Sequence, residues 1–110
     1  MTEEGRNAEE LRYRALLDLD VTGPEAREVF VTGLHDESWR VRRAAAGGLI
    51  RLPERASVVE RLIRVLGERD ETGARNAAAE ALAGMGPTAV PPLMRLLGHA
   101  DPDQIGRAHV

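Results

Sequence analysis

Three histidines, two serines and a set of arginines are the residues of this 110-residue chain whose types could do chemistry. His35 and His99 each stand close to an aspartate, Asp36 and Asp101. Paired His and Asp groups are conceivable divalent-metal ligands. A simpler use is preferred: both fall where second helices end, and a helix C-terminus favours a cationic imidazole. His109 lies in an aberrant tail. Ser38, Ser57, the aspartates and the histidines form no nucleophile-and-base grouping, and cysteine is absent. No catalytic residue, metal or other cofactor is therefore expected, and the chain reads as a non-enzyme.

The arginines admit two readings. Arg42 and Arg75 follow Asp36 and Asp70 at similar spacing. They could bind phosphate or an acidic partner, but a structural ladder is preferred, in which each Arg reaches the Asp of an adjacent turn or repeat. Its members are Asp36, Arg42, Asp70, Arg75 and Asp101. Arg40, Arg42, Arg43, Arg51, Arg55, Arg61 and Arg64 make the middle of the chain locally basic. Glu37, Glu54, Glu60 and Glu68 are interspersed, and Glu60 and Arg64 have the favourable i,i+4 order. The net charge is −3 and the pI about 5.6. A solvated, salt-bridged face fits better than a phosphate-binding one, so nucleic-acid binding is disfavoured. Trp39 and Tyr13 are lone aromatics. Trp39 could anchor an interface, but its expected place is packed over the preceding hairpin.

The elements that position these groups are helices. Apolar residues recur at helical spacing and nowhere alternate at period two. Six helices are predicted, over about 9–20, 24–34, 37–52, 56–67, 71–85 and 88–98. Gly23-Pro24 opens the second with Pro at its first position. Asp36 is the candidate N-cap of the third, and Asp70 and Thr72 start the fifth. Pro53 ends the third and Gly67 the fourth; Gly86-Pro87 separates the last two. Hydrophobic residues make up 43% of the chain but aromatics only 3%. Ala, Leu, Val and Ile must then do the packing, through close helix–helix contact. The Gly47-Gly48 pair falls mid-helix, where each Gly costs about 1 kcal/mol relative to Ala; a tight crossing or a bend is expected there.

Internal repetition is the strongest signal. Val41 to Leu49 aligns with Ala74 to Leu82 at an offset of 33, and Val59, Leu62, Ile63 and Leu66 align with Val90, Leu93, Met94 and Leu97 at an offset of 31. The segment Leu11 to Leu34 fits more loosely, as a first repeat that caps a stack against water does. The motif Asp-x4-Val-Arg-x-Ala-Ala-x3-Leu, followed by a Leu-rich helix and Asp again, resembles the HEAT-like repeat. The nearest variety is the bacterial one named after phycobilisome lyases. Arg42 and Arg75 match the repeat's arginine; Asp36, Asp70 and Asp101 match its aspartate; Ala74 departs from the usual Val. HEAT-like iron hydroxylases bind metal through His-Glu pairs, and no His-Glu dipeptide occurs here.

The resemblance implies an all-α fold, an α-solenoid of antiparallel helical hairpins. Repeats are expected at about 9–34, 37–67 and 71–98, within an array spanning 1–103 that includes the start of a fourth. Physics gives the same picture: Ala44-Ala45-Ala46 and Ala77-Ala78-Ala79 permit close approach, and Leu49, Leu62, Ile63, Leu66, Leu82, Leu93 and Leu97 fill the hairpin interior. Residues 104–110 break the pattern. A back-translation of Gln104–Val110 reads as a common sequencing-library adapter, so a non-native tail on a truncated, longer array is expected. The lysine-free, Arg- and Ala-rich composition points to a GC-rich bacterial source, and no apolar segment suggests a membrane, so a cytoplasmic location is expected.

The implied function is a protein–protein interaction scaffold whose partner is another protein. Ser57, Glu60, Arg61, Arg64, Glu68 and Arg95, on second helices, are the expected partner-facing positions. A bilin-lyase-like or lyase-chaperone protein is the alternative, suggested by the repeat variety alone; nucleic-acid binding is a further one.

Overall fold

A computed structural model describes residues 2–89. It folds them into α1 (Glu3–Asp18), α2 (Ala26–Gly33), α3 (Trp39–Ile50), α4 (Arg55–Leu66), α5 (Thr72–Met85) and a 3-10 turn (Gly86–Ala89). Helices α1, α3 and α5 lie side by side in one layer, and α2 and α4 form a second layer across them. No strand occurs among the described residues. The arrangement is that of an α-solenoid.

Each helix buries one stripe. In α3 the stripe is Val41, Ala45, Gly48 and Leu49; in α5 it is Ala74, Ala77, Ala78 and Ala81. The aligned pairs Val41 and Ala74, and Ala45 and Ala78, are buried alike, so the sequence repeat is also a repeat in packing. Small side chains here let α3 and α5 approach closely. Phe30, Leu34, Leu49, Leu62, Val41, Val58 and Val59 are the largest fully buried side chains. The core of α4 differs in part from the expected set: Val58, Val59, Leu62 and Val65 are buried, Ile63 is half-buried and Leu66 faces outward. Val58, Val59 and Val65 therefore share one face with Leu62, and Leu66 falls just past its edge. Leu93 and Leu97 lie outside the described residues.

Neighbouring helices do not pack equally. Helix α2 lies chiefly against α3, and α4 against α5, whereas α1–α2 and α3–α4 touch sparsely. Each second-layer helix therefore belongs in packing terms to the first-layer helix that follows it.

Helix starts differ from the predicted ones for local reasons. Helix α1 begins at Glu3, not near residue 9, because Thr2 Oγ1 accepts the Gly5 N–H at 3.0 Å and Glu3 and Glu4 sit in the positive first turn. Helix α2 begins two residues later than predicted: Asp20 accepts from the Thr22 backbone and hydroxyl, and a following turn, closed by the Ala26 N–H to the Gly23 carbonyl at 3.3 Å, carries Pro24. The N-cap of α3 is Ser38, not Asp36, with its hydroxyl accepting from Val41 N. Asp36 instead accepts the Ser38 N–H at 2.9 Å. Gly67 caps α4 in an ordinary right-handed conformation, φ −83. Among the described residues the glycine that uses positive φ is Gly86, at φ 63, where α5 ends. Of the helix predicted over 88–98, only the first two residues are described, in the 3-10 turn; the rest, and 104–110, lie outside the described residues.

The two mid-helix glycines have different causes. A Cβ on Gly48 would collide with the Phe30 ring, so the α2–α3 crossing requires glycine there. A Cβ on Gly47 would meet only the Arg51 guanidinium, at 3.7 Å.

Candidate interaction surfaces

On the second-helix layer, three of the expected partner-facing residues are engaged within the chain. Arg61 donates through both guanidinium Nη atoms to the Glu28 carboxylate on α2, one bond at 3.0 Å. The Arg61 hydrogen bond holds Glu28 below the ordinary carboxylate range. Ser57 Oγ accepts from Arg27 Nη1 at 3.1 Å. Glu68 Oε2 lies 2.7 Å from His35 Nε2, while His35 Nδ1 lies 3.1 Å from the Val31 carbonyl. Both partners are acceptors only, so both ring nitrogens donate only when the imidazole is protonated. Burial opposes that charge, but the Glu68 bond, the Val31 carbonyl and the nearby Glu71 charge outweigh it, and His35 titrates above its ordinary value. Arg64 is exposed and Glu60 half-buried; the i,i+4 ion pair that forms is Glu10–Arg14, not Glu60–Arg64. Arg95 lies outside the described residues.

The arginine and aspartate positions of the repeat take different partners. Asp36 receives Arg12 of α1 through two bonds, 2.7 and 3.1 Å. Burial would raise its pKa, but Arg12 and the Ser38 N–H lower it on balance. Arg42 reaches the backbone carbonyls of Asp36 and Glu37, at 2.9 and 3.1 Å, and so braces the α2–α3 turn. Arg75 donates to Thr72 Oγ1 at 3.2 Å. Asp70 is exposed, and Asp101 lies outside the described residues. Further bonds join α1 to the start of α3: Ser38 Oγ donates to Glu9 at 2.9 Å, and Arg40 donates to Glu10 at 2.5 Å.

The first-helix layer carries a feature that the sequence reading missed. Trp39 does not pack over the preceding hairpin; it is 64% exposed, because it occupies the first position of α3, away from the buried stripe. The Arg43 guanidinium lies 5.5 Å from its ring centroid, and that of Arg40 lies 3.8 Å from the Tyr13 centroid. Between α1 and α3 these groups border an open groove of about 420 Å³. The signal was present in the spacing: Tyr13 and Leu17 are one turn apart, as are Trp39 and Arg43, and Arg40, Ala44, Gly47 and Arg51 follow one helical stripe.

No group of three potential metal ligands occurs among the described residues, and none of their helices is long and apolar enough to cross a membrane. Comparison with curated proteins and with solved structures gave no match. Family models did match: HEAT repeats over residues 4–83, and the PBS lyase HEAT-like repeat over residues 74–99. With most of its length covered by the first of these and its helices layered as the repeat requires, the chain belongs to the HEAT-repeat family.

Proposed function

We propose that the chain is a non-catalytic protein-interaction scaffold, working in the cytoplasm by presenting helix faces to another protein. The observation that carries this reading is the HEAT-repeat match over residues 4–83, since repeats of this kind generally serve protein interaction. Two helix layers that turn their apolar stripes inward leave long outer faces open to a partner. On the second-helix face, Glu60 and Arg64 are the partner-facing groups, and Arg95 is the position that corresponds to Arg64 in the next sequence repeat. Arg61 and Glu68 contribute from within their pairs to Glu28 and His35, setting the charge pattern more than offering free donors. Asp36, Arg42, Asp70, Arg75 and Asp101 serve the scaffold by fixing turns and repeat contacts.

Affinity capture with the whole chain, run beside the double charge reversal Glu60→Arg/Arg64→Glu, tests the reading. A protein retained by the first and lost from the second supports it; a variant that retains the same proteins as the parent removes the second-helix face from the binding role. Two measurements separate the alternatives. A red-shifted absorbance on mixing with a free bilin would favour the lyase-like reading, and a salt-sensitive mobility shift of duplex DNA would favour nucleic-acid binding.

A further inference from the structure

We propose that the groove between α1 and α3, on the layer opposite the expected partner face, takes an acidic peptide segment that carries an apolar anchor. The proposal rests on the scaffold reading and adds to it a second surface and the chemistry of its occupant.

Three independent features of the groove point the same way. Its rim exposes apolar surface: Trp39 is 64% and Leu17 48% exposed, with Tyr13 beside them. Trp, Tyr and Arg are the residue types that dominate binding hot spots. Its charge runs against that of the chain. The sequence carries a net −3, yet Arg40, Arg43 and Arg51 line the groove and no carboxylate does. Arg40 is balanced from outside by Glu10, and Arg43 only loosely by Glu80 at 3.9 Å. A cationic rim of this kind selects an anionic partner.

The floor supplies the third feature. It is formed by Ala44 and Gly47. Glycine inside a helix is destabilising, and at Gly48 the Phe30 ring explains it. At Gly47 the fold offers no such reason, since a Cβ would find room against Arg51. What the missing side chain does is deepen the groove where a ligand's anchor would enter, and close approach to a ligand is a recurring use of glycine. The occupant that fits is therefore a peptide whose apolar side chain lies over Gly47 between Leu17 and Trp39. Its flanking carboxylates would meet Arg43 and Arg51.

Trp39 is the chain's one tryptophan, so its emission reports on the groove directly. The probe is a short synthetic peptide in which glutamates flank a central Phe-Leu pair, titrated into the full chain. Expected is a saturable blue shift of Trp39 emission that weakens as salt is raised. Two control peptides, one with lysines for glutamates and one with serines for Phe-Leu, should bind at least about tenfold more weakly. Arg43→Glu/Arg51→Glu should abolish the shift. Gly47→Met should also abolish it while the melting temperature holds or rises, and Gly47→Ala should retain it. No shift, an equal response to the lysine peptide, or full binding by Gly47→Met would overturn the proposal. So would concentration-dependent self-association that buries Trp39 without peptide, because the occupant would then be a second copy. If the peptides fail while capture still depends on Glu60 and Arg64, the groove falls and the scaffold reading stands.

Discussion

In the second-helix layer, Glu28 meets Arg61 and His35 meets Glu68 from one helix to the next. In the first-helix layer, the bonds between α1 and α3 gather at the start of α3, on Asp36, Ser38 and Arg40. Past that point Arg43 and Arg51 border an open groove beside Trp39. The contrast separates two uses of the same residue types. An arginine closely bonded to a carboxylate one repeat away fixes the stagger of neighbouring helices, whereas Arg51, and Arg43 with Glu80 no nearer than 3.9 Å, stand on an aromatic rim with no carboxylate in its lining and are available to something outside the fold. Residue counts by sign and type do not tell these uses apart; their neighbours across the repeat do.

The comparison can be broken most severely at Phe30, the second-layer side chain that wedges against Gly48 of the first. Phe30→Ala should cost about 3–5 kcal/mol in denaturant unfolding, since the ring is fully buried. The adjacent glycines should then respond with opposite signs. Gly48→Ala overpacks the crossing and should destabilise by about 1–3 kcal/mol, while Gly47→Ala should stabilise by up to about 1 kcal/mol. Equal responses would mean that the groove floor is as constrained as the core. Asp36→Ala, which strands Arg12 and the Ser38 N–H, should cost about 2 kcal/mol, measured in the same way.

The smallest effect is a dependence on pH. His35 has a raised folded value, so its contribution is fully present below the ordinary histidine value of about 6.5 and is lost as pH rises through the raised one. His35→Gln should flatten stability against pH across that window and leave Trp39 emission unchanged. A slope that survives the substitution would assign the titration to another group.

Much of the architecture was legible because it is written in short-range spacing. The stripe Val41, Ala45, Leu49 and its echo Ala74, Ala78 set the register of α3 against α5 without any knowledge of the fold. Element starts were less so. Thr2 caps a first turn of Glu3 and Glu4 that has no apolar periodicity to announce it, and Asp36 and Ser38 are both good caps two residues apart. Which of the two caps α3 is decided by Arg12, which arrives from another helix and engages Asp36. The partners of Arg61, Glu68 and Ser57 were beyond reach for the same reason: they depend on how far one repeat slides past the next, a distance that no local pattern encodes. Trp39 was misplaced because its position at the first residue of α3, outside the buried stripe, outweighs its hydrophobicity.

The uneven packing of the layers has a consequence for how such a chain can be cut and joined. The repeat as it is spelled runs α1–α2, then α3–α4, but the close contacts between the layers run α2–α3 and α4–α5. A module excised at the spelled boundary, between Gly33 and Trp39, would split the α2–α3 interface and uncover the Phe30 ring where it meets Gly48. A module that starts in the turn before α2 and ends after α3 would carry that interface away whole and open chiefly the sides of α3 toward α1 and α5, so the turns at 19–25 and 51–54 are the seams that keep the two layers joined on shortening, lengthening or grafting.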